Sequence, residues 1–131
     1  VNTMQLNQPV NDMVKVAIAG PLSNITIAVL LSKVMKILTM SNPVLYAQYD
    51  GVFQIMGYGV IINVVLAVFN LIPIPPMDGS RILYRFLPYN GRAFLDKIEP
   101  YGIFIIILLS FFGFFSSILG AVCIPILKLL L

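Results

Sequence analysis

The chain has 131 residues, of which 60% are hydrophobic and 10% are charged, and its mean hydropathy is +0.99. A soluble domain is usually about 25% charged, so this composition excludes a water-facing exterior and indicates an integral membrane protein. The net charge of +3 is too small and too dispersed along the chain to indicate a nucleic-acid partner. The single cysteine, Cys123, excludes an intrachain disulfide. The sequence contains no histidine.

The chain opens on a polar segment, residues 1–13. This segment lacks the order of basic, apolar and small residues that marks a signal peptide. Because the first residue is Val1 rather than methionine, we expect an internal or C-terminal piece of a longer protein. A trimmed natural terminus is the alternative.

Three apolar stretches are long enough to cross a bilayer as helices, which takes about 20 residues. Span one covers residues 14–38 and span two covers residues 52–72. The third stretch, residues 101–131, would be about 46 Å long as one straight helix, which is too long for one crossing. We therefore expect span three over residues 101–121 and a short broken tail after Pro125. The predicted fold class is all-α: a polytopic transmembrane helix bundle of about three spans, with a proline-broken segment after the second.

Basic residues divide unevenly between the two connections. Residues 39–51 form a short loop without lysine or arginine, whereas residues 79–100 form a basic loop. The charged residues of the basic loop are Arg81, Arg85, Arg92, Asp96, Lys97 and Glu99. Since basic residues in short loops favour the cytoplasmic side, the pattern places the N-terminal segment and the basic loop there. Lys33 and Lys36 oppose this orientation, although long lysine side chains can reach the interface.

The segment after span two has an unusual composition for the edge of a membrane. Asn70 closes the apolar run, and Asp78 and Gly79 follow after a proline-rich stretch. The prolines are Pro73, Pro75 and Pro76. A carboxylate at the mouth of a span needs a partner, a cation or water. Prolines remove backbone donors, which is tolerated at membrane depth only where the chain lines protein or a wet cavity. The segment therefore predicts a functional site.

Span one carries a second polar cluster near its predicted cytoplasmic end. Gly20 and Asn24 are four residues apart and share one helical face. Pro21 lacks an N–H group and loosens the helix between them. Small residues here permit close helix packing, with Asn24 as an interhelical hydrogen-bonding group.

Antiparallel packing of spans one and two would bring both clusters to the same membrane face. Gly20, Asn24, Asn70 and Asp78 would then converge near the cytoplasmic side. Two polar irregularities at one depth favour a shared polar pocket over helix packing alone.

Two motifs carry a family resemblance. The first is Ala19-Gly20-Pro21-Leu22-Ser23-Asn24, and the second, residues 69–79, keeps asparagine, spaced prolines and Asp-Gly in fixed order. Together they resemble the site-2-type intramembrane zinc metalloproteases over roughly residues 10–85. The resemblance does not extend to the third span, which is generic membrane sequence.

The resemblance implies roles for these residues. In that family an earlier helix carries His-Glu-x-x-His, whose histidines bind zinc and whose glutamate is the general base. The aspartate of the second motif is the third metal ligand, so Asp78 would bind zinc. Asn24 and Asn70 would position the substrate or stabilise the oxyanion. Gly20, Pro21, Pro73, Pro75, Pro76 and Gly79 would shape the motifs.

The absence of any histidine is a departure from the family pattern. Asp78 alone cannot hold a catalytic zinc, and no acidic residue in a span can replace the missing base. We expect the upstream part of the same polypeptide to supply the metal-binding helix, and this segment alone to be inactive and to bind metal weakly. The expected partners are a transmembrane protein substrate and the lipid bilayer, in a bacterial cell membrane.

Two alternatives stay open at this stage. One is a catalytically dead relative that binds membrane proteins without cutting them. The other is a cation or proton transporter fragment that uses Asp78, since broken helices with acidic residues also suit ion pathways. The absence of a visible inverted repeat argues against transport.

Overall fold

The computed structural model describes residues 9–75 and 77–131, and this part of the chain is helical, without a β-strand. Pro76, one of the three predicted motif prolines, lies outside the described residues. The helices are α1 (Pro9–Ser41), α2 (Pro43–Gln48), α3 (Asp50–Asn70), α4 (Asp78–Phe86), α5 (Tyr89–Ile98), α6 (Gly102–Phe111) and α7 (Phe114–Leu130). A 3₁₀ turn, Glu99–Tyr101, joins α5 to α6. The predicted all-α fold class is confirmed.

Helices α1 and α3 are each long and apolar enough to cross a membrane. Helix α1 begins inside the predicted polar connection 1–13, and it continues through Pro21. The outer faces of both helices expose large apolar side chains, such as Leu30, Ile37 and Ile55. Apolar surface of this extent suits lipid rather than water. The chain is therefore a membrane protein.

The core lies where α1, α3 and α7 meet. Ala28 of α1, Val60 and Val64 of α3 and Cys123 of α7 are buried together. Small side chains at this seam let the helices approach closely, which favours association in lipid, where packing rather than water exclusion holds helices together.

The third apolar stretch breaks at a different place from the predicted one. Helix α6 ends before Gly113, which has φ +73°, and α7 runs without interruption through Pro125. The helical run Tyr89–Phe111 and α7 form an angle of 81°. The expected span over residues 101–121 with a tail after Pro125 is therefore wrong. A glycine in the left-handed region ends a helix, whereas proline is tolerated within a membrane helix.

Both predicted connections are more helical than expected. Residues 39–51 contain α2, which begins at Pro43 and is capped by Asn42, whose Oδ1 accepts from the Leu45 N–H at 3.1 Å. Residues 79–100 form α4 and α5 rather than a loop. The guanidinium of Arg92 donates to the backbone oxygens of Tyr84 (2.9 Å) and Arg85 (3.0 Å), which ties the start of α5 to the end of α4.

Candidate functional site

The connection between α3 and α4, which the structure describes at residues 71–75 and 77, forms a turn. Within it, the Ile74 N–H donates to the Ile72 oxygen at 2.8 Å, and the Met77 N–H donates to the Ile74 oxygen at 2.8 Å. Ile72 and Pro75 are buried, whereas Pro73 is exposed. Because proline fixes φ and has no N–H group, the turn holds its shape with few backbone donors.

Gly79 lets the first turn of α4 pack directly on this connection. A β-carbon at residue 79 would collide with the carbonyl oxygens of Leu71 and Ile72. Only a residue without a side chain fits there. The close approach fixes where α4 begins, and so fixes the position of its first residue, Asp78.

Asp78 lies against α1 at Gly20. A β-carbon built on Gly20 would be 3.3 Å from Oδ2 of Asp78, so the carboxylate rests on a stretch of helix without side chain. Asp78 is half-buried, and it forms no ion pair with another residue of the described segments 9–75 and 77–131. The structure thus brings together two of the residues that the sequence analysis expected to converge.

The register of α1 against α3 places the two predicted asparagines. Side-chain contacts pair Gly59 with Leu31 and Gly57 with Met35, which is an antiparallel register. Gly20 lies eleven residues before Leu31, and Asn70 lies eleven residues after Gly59, so both are about 16 Å along their helices from that contact. By this helix rise, Asn70 lies at about the same height along the α1–α3 pair as Gly20.

Asn24 lies one helical turn farther into the bundle than Gly20, about 6 Å along α1. Asn24 and Asn70 are both half-buried. Among the described residues, neither amide side chain has a hydrogen-bond partner, and neither is a fully buried polar group left unsatisfied. Both amides are thus available to a ligand at this end of the bundle.

Two features near the site were not singled out in the sequence. Asn63 is a half-buried amide in the middle of α3 that donates to the Gly59 oxygen at 2.7 Å. Asn63 lies seven residues before Asn70, so both amides lie on one helical face. The sequence alone shows this spacing. The second feature is the packing of Phe69 against Phe115, with ring centroids 5.5 Å apart. This contact anchors α7 beside the end of α3, and no local sequence pattern predicts it.

The site offers one carboxylate, that of Asp78, rather than a complete metal centre. Oxygen of a carboxylate suits Zn²⁺, but a catalytic zinc takes three protein ligands. Across the described residues, no group of three His, Cys, Asp or Glu side chains could hold a metal. Because the sequence has no histidine, a zinc at Asp78 needs ligands from outside this chain.

Comparisons with known proteins point to one family. The model of peptidase family M50 matches residues 31–113, which include the whole turn from Asn70 to Gly79. The Bacillus subtilis protein named "Putative zinc metalloprotease YwhC" is 34% identical over 112 residues, 85% of this chain and 51% of that protein. A "Putative zinc metalloprotease" of Methanocaldococcus jannaschii is 41% identical over 69 residues, 53% of this chain and 32% of that protein. The chain thus spans about half or less of the length of these relatives. No solved structure matches it.

Proposed function

Because this chain belongs to peptidase family M50, we propose that it is part of a membrane-embedded zinc metalloendopeptidase, with Asp78 as one zinc ligand. The observation that carries the proposal is the contact of the Asp78 carboxylate with the bare backbone of α1 at Gly20. A half-buried carboxylate without an ion-pair partner in the described part of the chain is costly at a membrane edge, and a cation would offset that cost.

The other zinc ligands and the general base come from a part of the polypeptide outside these 131 residues. Two histidines and a glutamate on a further helix would complete the site next to Asp78. On the α1 side the Asp78 carboxylate lies against Gly20, which has no side chain. This chain by itself therefore neither holds catalytic zinc nor cleaves peptides.

The chain's own residues bind and orient the substrate. When bound, zinc supplies Lewis-acid activation of the attacking water and of the scissile carbonyl. Asp78 holds its position because Gly79 locks α4 on the turn. Asn70, at about the level of Gly20, donates its amide N–H to the developing oxyanion. Asn24, one turn deeper, hydrogen-bonds the backbone of the substrate segment once that segment has lost its helical hydrogen bonds.

The substrate is a transmembrane segment of another protein, cleaved near the cytoplasmic face of a bacterial cell membrane. The basic residues of α4 and α5 favour the cytoplasmic side for this end of the bundle. The site lies at the end of α3, so a scissile bond would lie near the membrane surface rather than at its centre.

The test is an Asp78→Asn variant of the full-length protein, compared with Asp50→Asn. Both aspartates are the first residue of a helix and precede a glycine, but Asp50 is exposed and accepts a 2.9 Å hydrogen bond from Gln54. Zinc content is measured by elemental mass spectrometry, and cleavage is measured on a transmembrane reporter. We expect Asp78→Asn to reduce zinc affinity and cleavage by at least about a hundredfold, the upper range for residues that support a metal.

Asp50→Asn should retain both zinc and cleavage. Retention of both by Asp78→Asn would contradict the ligand assignment. An unmodified full-length protein that contains neither zinc nor activity would favour a non-catalytic relative. Residues 1–131 expressed alone should bind zinc weakly, and stoichiometric tight zinc on them would contradict the need for outside ligands.

A further inference from the structure

We propose that the α4–α5 hairpin binds anionic phospholipid headgroups through Arg81 and Arg85. The hairpin comprises α4 and α5 and is defined by residues 78–98. Arg81 and Arg85 have no role in the proposed reaction, and lipid binding to them does not require that the protein is a protease.

The cations of α4 have no carboxylate partner in the part of the chain that the structure describes. Arg81 is half-buried and Arg85 is exposed, one helical turn apart on the same face. In the described ranges 9–75 and 77–131, neither guanidinium lies within 4.0 Å of a carboxylate. The carboxylate of Asp78, the only acid on α4, is directed to α1 at Gly20. Two adjacent arginines therefore present uncompensated charge on one helix.

A third arginine in the hairpin has a structural role instead. Arg92 of α5 donates to the backbone oxygens of Tyr84 and Arg85, and its guanidinium lies 5.0 Å from the centre of the Tyr84 ring. Those carbonyls are among the last of α4, and the Tyr84 oxygen also accepts from the Leu87 N–H at 3.4 Å. Arg92 thus ties α5 to the end of α4, whereas Arg81 and Arg85 are the two cations of α4 itself and have no carboxylate partner among the described residues.

Three aromatic side chains of the hairpin are exposed. Phe86 is 73% exposed, Tyr89 is 84% exposed and Phe94 is 61% exposed. Aromatic side chains next to basic ones, at the end of a membrane span, are typical of the headgroup layer. Side chains of this kind on a water-facing protein surface would be costly, whereas the interface accommodates both the ring and the charge.

The chemistry of the hairpin favours lipid over an acidic protein segment. Guanidinium groups pair with phosphate through two parallel hydrogen bonds, and each basic residue near an anionic membrane surface contributes about fivefold in affinity. Asp96 of α5 and Glu99 of the 3₁₀ turn are exposed. Their negative charges would repel a long acidic peptide that ran along the hairpin. A single compact headgroup on α4 avoids both acids.

Binding to α4 would also bear on the site, because Asp78 is the first residue of the same helix. Anionic lipid would hold α4 at the membrane surface and reduce its rocking on the turn that precedes it. Lipid bound to α4 would in this way also affect the position of Asp78.

The experiment measures binding of dioctanoyl phosphatidylglycerol and dioctanoyl phosphatidylcholine to the intact protein in detergent, by native mass spectrometry. The test variant is Arg81→Gln/Arg85→Gln, and the matched control is Lys33→Gln/Lys36→Gln. The control also removes two positive charges, but from the half of α1 that is farther from Gly20. Both lysines are exposed there. Arg81→Lys/Arg85→Lys keeps the charge and shows whether loss of binding reflects misfolding.

We expect the protein to prefer the anionic lipid, and the arginine-to-glutamine variant to lose about thirtyfold in affinity for it. The lysine control should retain the preference, and Arg81→Lys/Arg85→Lys should keep most of it. Absence of any preference in the unmodified protein, or an equal loss in the lysine control, would overturn the proposal. Displacement of the lipid by equimolar inorganic phosphate would indicate a free-phosphate site instead. Displacement by an equimolar glutamate-rich peptide would indicate an acidic protein partner, and either result would overturn the lipid assignment.

Discussion

The chain contains two Asp-Gly pairs at the start of a helix, and they differ in nearly every physical respect. Asp50-Gly51 opens α3 after the connection that contains α2, and Asp78-Gly79 opens α4 after the connection that follows Asn70. Both connections contain proline. The local sequence ingredients are therefore similar at the two ends of the α1–α3 pair.

The surroundings of the two pairs separate them. Asp50 is exposed and bonded to Gln54 of its own helix, and a β-carbon at Gly51 would meet nothing within 4 Å. Asp78 lies against Gly20 on another helix, and Gly79 is pressed onto the carbonyl oxygens of the preceding turn. The first pair serves a local turn, and the second holds a carboxylate at a contact between helices. The same dipeptide thus has a different environment at each position, because different parts of the protein pack against it.

The largest expected difference is in the unfolding free energies of the Gly79→Ala and Gly51→Ala variants. A methyl group at residue 79 overlaps backbone that cannot move aside, so we expect a loss of about 3 kcal/mol, the upper range for overpacking. At residue 51 the methyl group meets open space in a helical turn, and a gain of up to about 1 kcal/mol is expected. Denaturant unfolding followed by circular dichroism measures both. Equal changes in the two variants would show that the α3–α4 turn yields easily.

The next difference is in catalysis, at Asn70. If its amide stabilises the oxyanion, Asn70→Ala should lower kcat of the full-length protein by about a hundredfold. Unfolding free energy should change by less than about 0.5 kcal/mol, since the Asn70 side chain has no hydrogen-bond partner among the described residues. Initial rates on a transmembrane reporter give kcat. An unchanged kcat would remove Asn70 from the site.

A smaller effect is expected at Gly20, with Gly57→Ala as the control. A methyl group at Gly20 would be 3.3 Å from Oδ2 of Asp78 and would push the carboxylate by a few tenths of an ångström, whereas at Gly57 it would make an ordinary 3.8 Å contact with Met35. We expect Gly20→Ala to weaken zinc binding in the full-length protein about tenfold. Competition with a chelator measures the affinity. A comparable loss in Gly57→Ala would mean that helix packing, and not the carboxylate, is responsible.

The smallest effect is expected at the other turn, at Asn42. Its side chain accepts the Leu45 N–H at the start of α2, and loss of such a cap costs about 1 kcal/mol. Asn42→Ala should therefore lower the unfolding free energy by about that amount and leave cleavage unchanged. Thermal unfolding and the reporter assay together check this. A fall in cleavage without a fall in stability would contradict the assignment of this end of the bundle as structural.

The two long predicted spans lie close to helices of the structure, whereas the third stretch breaks at a different residue from the predicted one. Spans 14–38 and 52–72 fall within a few residues of α1 and α3, because uninterrupted apolar composition extends a helix until a turn residue ends it. In the region 101–131 both Gly113 and Pro125 can interrupt a helix. The predicted break lies after Pro125, whereas the structure has it at Gly113. Backbone conformation decided the outcome, since only Gly113 among the described residues takes a positive φ. The basic loop is helical because Arg92 caps α4 from α5, a contact that hydropathy does not reveal.

The amino-acid sequence by itself determined the membrane class, the helical fold and the identity of the carboxylate at the α3–α4 turn, since these follow from composition and from motif order. Only the tertiary structure decided that Asp78 meets Gly20 and that Asn70 lies at about the same height as Gly20. Those relations depend on the register of α1 against α3 and on the path of the chain between α3 and α4. Register is set by packing across two helices distant in sequence, such as that of the Leu31 side chain against Gly59, and no single segment encodes it.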